Sequence, residues 1–219
     1  MELTGRRMFT VTVVPTGVDL APGDLLFEGS GGPFEDPVGF GIRLGTWSRY
    51  NHVGVVLEDT PDGLVVVEGL GDLRGTAVRI SPQRHTLAVA LRLDVGRPDT
   101  GKAVATHAAQ MAGQSGHAWL DGNLPAALTT PGTPYGWLSI LRISVRSATR
   151  VPVLRYAARP ALAALRTVAD TGALICSEHV RAAVEAATGV VLSDVLPTYE
   201  TSPQDLLSLM LDDGYTPAR

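Results

Sequence analysis

Three β-branched runs follow one another between residues 52 and 81: HVGVVLED (52–59), GLVVVEGL (63–70) and GTAVRIS (75–81). The gaps between them are too short to hold a helix. Parallel neighbours need a crossover of a dozen or more residues, so the spacing favours an antiparallel sheet or partial barrel over βαβ units. The first two are joined by TPDG, a good hairpin turn. FTVTVVP (9–15), GDLLFEG (23–29) and TLAVALRLD (86–94) extend the series as further short strands. The Gly- and Pro-rich stretch 30–51 reads mostly as loop.

The second half changes period. TGKAVATHAAQMAG (100–113), YGWLSILRISV (135–145), RYAARPALAALRTVAD (155–170), CSEHVRAAVEAATG (176–189) and SPQDLLSLMLDDG (202–214) read as helices. Gly189 is a natural stop, and Ser202 with Pro203 a natural start. Strands followed by helices predict an α+β fold: an antiparallel sheet or partial barrel packed against helices. The chain of 219 residues, 45% hydrophobic, has the size for one core, a single domain over 1–219 with a helical insertion at about 142–170.

A net charge of −4 gives no reason to expect nucleic acid. No apolar run is long enough for a membrane span, and the N-terminal stretch lacks the pattern of a signal peptide. The single cysteine, Cys176, cannot form an internal disulfide. Free cysteines are usually small buried hydrophobes. Cys176, however, opens a helix after the apolar triplet ALI. The positive end of the helix dipole favours a thiolate there, and the free amides of the first turn can hold an oxyanion.

A nucleophilic thiol needs a base. Of five histidines, His107 lies mid-helix, His85 in a turn and His117 in a Gly-flanked loop. His179 shares the cysteine's helix at i+3, too weak a pairing for a metal signal by itself. His52 begins a strand just after Trp47, Ser48, Tyr50 and Asn51, a rigid mount beside a loop. Standing alone it reads as an edge histidine. Glu68 interrupts an apolar strand joined by hairpin to that of His52, and suits the role of orienting acid. A solvent-facing edge carboxylate is its plain alternative.

Taken in order, PGDLLF (22–27), SRYNHVGVVLE (48–58), VVVEGLGDLRGTAVRI (65–80), PYGW (134–137), LICSEHV (174–180) and SPQDLL (202–207) resemble the circularly permuted NlpC/P60 (papain-like, YiiX-like) cysteine hydrolases. The resemblance covers roughly residues 20 to 210, and its specificity lies in the order of the motifs. It implies Cys176 as nucleophile, His52 as base and Glu68 as orienting acid, with Tyr135 near the cleft and no metal or organic cofactor. Tyr50, Asn51, Trp47 and His179 are further cleft candidates. The family often has an acid after the tyrosine, where this chain has Gly136, and more often an apolar residue at the position of His179.

The implied activity is that of a thiol hydrolase on an amide bond, a peptidoglycan-type peptide first. The rivals are a non-catalytic phage or assembly protein keeping the fold, and a lipid-directed acyltransferase or acyl hydrolase. The implied location is cytoplasmic or within a phage virion. One feature lies outside the resemblance. Gly122 to Ala169 contains no Asp or Glu but holds Arg142, Arg146, Arg150, Arg155, Arg159 and Arg166. That segment reads either as a docking face for an anionic partner or protein, or as a solvated helix face.

Overall fold

The computed structural model describes residues 10–14, 19–29, 43, 48–69, 75–81, 89–94, 99–168, 173 and 175–214. Six strands form one sheet: β1 (Thr10–Val14), β2 (Leu25–Glu28), β3 (His52–Thr60), β4 (Gly63–Gly69), β5 (Thr76–Ser81) and β6 (Val89–Asp94). Their order is β1-β6-β2-β3-β4-β5, and every pairing is antiparallel. Seven α-helices follow among the described residues: α1 (Thr100–Met111), α2 (Gly113–Leu120), α3 (Leu124–Thr129), α4 (Trp137–Ala148), α5 (Arg155–Arg166), α6 (Cys176–Thr188) and α7 (Pro203–Gly214), with a 3-10 turn at Thr198–Glu200. The fold is thus mixed α/β, an antiparallel sheet packed with helices. None of these helices is long and apolar enough to cross a membrane.

Strand alternation divides the interior in two. Val53, Val55 and Leu57 of β3 face the larger cluster, shared with Val104 and Ala108 of α1 and Val180 and Val184 of α6. Val56 faces a smaller cluster with Leu26, Leu64, Val66 and Ala90. Each fully buried Val or Leu contributes about 2 kcal/mol, so the larger cluster carries most of the stability. α1 and α6 pack on each other and on β3, which fixes the start of α6 against the sheet.

Local signals set the helix ends. Ser202 and Asp205 cap α7 reciprocally: the Asp205 amide donates to Ser202 Oγ at 3.1 Å, and the Ser202 amide to Asp205 Oδ2 at 3.1 Å. α6 ends at Gly189, whose φ of 72° is left-handed and suits glycine. His117 lies in α2, not in a loop as its glycine neighbours predict. α2 and α3 escape the sequence pattern because QSGHAWLDGN carries two glycines and little apolar period.

The arginine segment departs in part from both sequence readings. Arg142 is buried, donating from Nε to the Leu165 carbonyl at 3.2 Å and from Nη2 to that of Val168 at 2.7 Å, and lies over the Tyr199 ring. A cation there bonds carbonyls at and just past the C-terminus of α5, where the helix dipole favours positive charge. Arg146 and Arg150 both pair with Asp205, and Arg166 pairs with Glu200. Four of the six arginines therefore hold the molecule together and are not a free docking face. Arg155 and Arg159 remain exposed.

Candidate active site

His52 is the first residue of β3 and Cys176 the first of α6, so both side chains stand where their elements begin. Glu178 shapes the start of α6: its Oε2 accepts the Ile175 amide at 2.8 Å, the acidic half of a capping box. The helix is then anchored from below. Ser177 Oγ donates to the Thr201 carbonyl at 2.5 Å. The buried Arg181 donates to the carbonyls of Leu196 and Ser193, to Thr201 Oγ1 and to Glu185.

His52 Nε2 donates to Glu68 Oε2 at 2.9 Å, each side chain 11% exposed. A carboxylate only accepts, so this bond fixes the tautomer and leaves Nδ1 for Cys176. Burial alone would lower the His52 pKa. The hydrogen bonds and charges of Cys176 and Glu68 outweigh it and hold the imidazole well above its ordinary value.

A third carboxyl stands beside this pair. Glu28 of β2 is directly opposite His52 in the β2–β3 register and is 3% exposed. By alternation Glu28, His52 and Glu68 share one face of three adjacent strands. Burial pushes the Glu28 carboxyl up to about 7, with His52 opposing and Glu68 reinforcing the shift. Sequence reading passes over Glu28 because it ends an apolar strand like any solvent-facing acid. The signal that finds it is its cross-strand pairing with His52.

Gly69 completes the geometry. A β-carbon on it would stand 3.2 Å from the Cys176 amide nitrogen, 3.3 Å from Tyr135 Cε2 and 2.8 Å from Thr76 Oγ1. The Tyr135 ring and the start of α6 therefore converge on a bare backbone. Tyr135 stacks edge-on against Trp137, ring centroids 5.2 Å apart.

The remaining candidates divide. Asn51 is buried, and its amide donates to the Glu28 carbonyl at 3.1 Å, continuing the β2–β3 pairing. Tyr50 is half-buried with its ring edge-on to Phe27, which places it against the core. His179 is a correction: it does not line a cleft. It is 1% exposed, bonded through Nε2 to the Ala108 carbonyl of α1 at 2.9 Å, and burial pushes its pKa down to about 4. At i+3 on α6 it faces the neighbouring helix, a core histidine kept neutral. Trp47 lies outside the described residues. No group of three His, Cys, Asp or Glu among the described residues is placed to hold a metal ion.

Set beside known proteins, the chain matches no protein-family model, no curated sequence and no solved structure. The geometry of Cys176, His52 and Glu68 must carry the functional reading itself.

Proposed function

We propose that this chain is a thiol hydrolase of permuted papain-like type, with Cys176 as nucleophile, His52 as general base and acid, and Glu68 as the orienting acid. The observation that carries the reading is the relay from Cys176 through His52 to Glu68, assembled from three separate elements in a largely buried setting. A nucleophile, a base within hydrogen-bond reach and a third group holding the base are the parts acyl transfer requires.

The chemistry follows from the parts. His52 Nδ1 takes the thiol proton, and the sulfur attacks an amide carbonyl. First-turn amides of α6 have no helical carbonyl partners and are suited to hold the oxyanion. As the C–N bond breaks, His52 gives its proton to the leaving amine and the acyl group remains on sulfur. Water then attacks the thioester, its proton passing to His52 and on to the departing sulfur. A peptidoglycan-type peptide is the first choice of substrate.

The test is the pH dependence of Cys176 alkylation by iodoacetamide, in wild type and in His52→Ala. An ordinary cysteine, with a pKa of about 8.5, is protonated and slow at pH 6. Rapid labelling at pH 6 that His52→Ala abolishes supports the relay and leads to assays on wall peptides. Labelling indifferent to His52 removes the reading.

A further inference from the structure

Helix α4 buries polar side chains while leaving two of its large apolar ones exposed. It buries Ser139, Arg142 and Ser147 together with Ile143, while Trp137 and Leu141 stand 52% and 48% exposed. At 100° per residue Trp137, Leu141, Val145 and Ala148 fall on one side, opposite the buried polar set. A solvated surface helix has the reverse arrangement. The turn after α4 and the start of α5 continue the pattern, exposing Val153, Leu154 and Tyr156 at 85%, 51% and 74%. Large apolar side chains left exposed along one helix face and beyond its end point to an interaction site.

The charges beside it have one sign. No acidic residue lies between Gly122 and Ala169. Asp205 and Glu200, which approach this region from elsewhere, are already neutralised by Arg146, Arg150 and Arg166. Arg155 and Arg159 on α5 make no ion pair among the described residues; Arg155 stacks on the ring of Tyr156. A two-fold contact between copies through this surface would bring these arginines against themselves. An anionic layer would not.

We propose that the outward side of α4 and the α4–α5 turn form a docking surface for an anionic phospholipid bilayer. Leu141, Val153 and Leu154 enter the acyl boundary. Trp137 and Tyr156 sit at headgroup level, and Arg155 and Arg159 meet phosphates. This is the composition of an interfacial helical anchor, with apolar and aromatic residues on one side and arginines flanking them. Trp137 stacks on Tyr135, whose ring lies beside the Cys176 amide, so the bound surface borders the candidate active site. The inference does not depend on thiol chemistry, and Cys176→Ser is expected to bind equally.

The test is sedimentation of the full chain with phosphatidylcholine vesicles, with and without phosphatidylglycerol. Binding is expected to the anionic vesicles only, and to weaken with salt. Tryptophan fluorescence shifts to the blue and is quenched by brominated acyl chains, and Trp137→Phe removes that signal. Leu141→Glu, and separately Arg155→Gln with Arg159→Gln, each weaken binding at least tenfold. These positions are exposed, so circular dichroism is unchanged. Absence of sedimentation with either vesicle overturns the proposal. So does self-association in sedimentation velocity that Leu141→Glu abolishes, which makes the surface a contact between copies.

Discussion

Glu68 reaches His52 on the diagonal, because in register it stands opposite Gly54 and not opposite the histidine. A β-carbon on Gly54 would lie 3.5 Å from Glu68 Cβ and 3.1 Å from the Val67 carbonyl. The missing side chain leaves Glu68 room to lean toward the start of β3. Glu68→Gln removes the charge and is expected to lower the His52 titration midpoint, read by NMR of the imidazole, by about one pH unit. Gly54→Val, which suits a strand but crowds Glu68, is expected to shift it the same way. An unmoved midpoint in both variants dissociates Glu68 from His52.

Glu28 is held protonated by burial, so folding takes up a proton between the ordinary carboxyl range and pH 7. A raised carboxyl pKa contributes stability below about 4.5, which is lost as pH rises through 7. The cost by pH 8 is about 3 kcal/mol. Glu28→Gln carries no such charge. It is expected to match wild type in urea unfolding at pH 4.5 and to exceed it by about that amount at pH 8.

His179 shifts in the opposite sense. A histidine kept neutral to about 4 contributes stability above its unfolded pKa of 6.5 that is lost as pH falls toward 4. Between pH 7 and 4.5 the loss is about 2 kcal/mol. His179→Leu is expected to flatten this acid limb without changing Cys176 alkylation at pH 7. Loss of alkylation there would return His179 to the site.

Arg181 is expected to be the costliest single position on α6. Its removal leaves the carbonyls of Leu196 and Ser193 and the hydroxyl of Thr201 without their donor. Arg181→Met is expected to cost about 3 kcal/mol in urea unfolding. Glu185→Gln, on the more exposed side of the same pair, should cost less.

Gly69→Ala places a methyl group against Thr76 Oγ1, the Cys176 amide and the Tyr135 ring at once. The start of α6 must move by a few tenths of an ångström. The expected result is roughly a tenfold loss in Cys176 alkylation rate at pH 6 with a smaller effect on melting temperature. A change in stability alone would make Gly69 a packing residue only.

The six strands were legible because β-branched runs separated by short turns have few other solutions. The pairing of His52 with Glu68 was legible because a hairpin brings its two arms together wherever the turn lies. Glu28 was not, since β2 and β3 are separated by a long stretch that does not reveal its register. The burial of Arg142 was equally hidden: its partners are carbonyls at the end of another helix, and carbonyls leave no mark in a sequence. Helix α4 and the alanine-rich α5 look alike as patterns, and only packing separates their inner and outer sides.

Tyr199, Glu200 and Thr201 each grip a different helix: the first lies under Arg142 of α4, the second holds Arg166 of α5, and the third receives Ser177 and Arg181 of α6. Three consecutive residues thus act as a common axle. The seats of α4, α5 and the cysteine helix lie within one stretch of three residues, and a change in its backbone would be felt by all three helices.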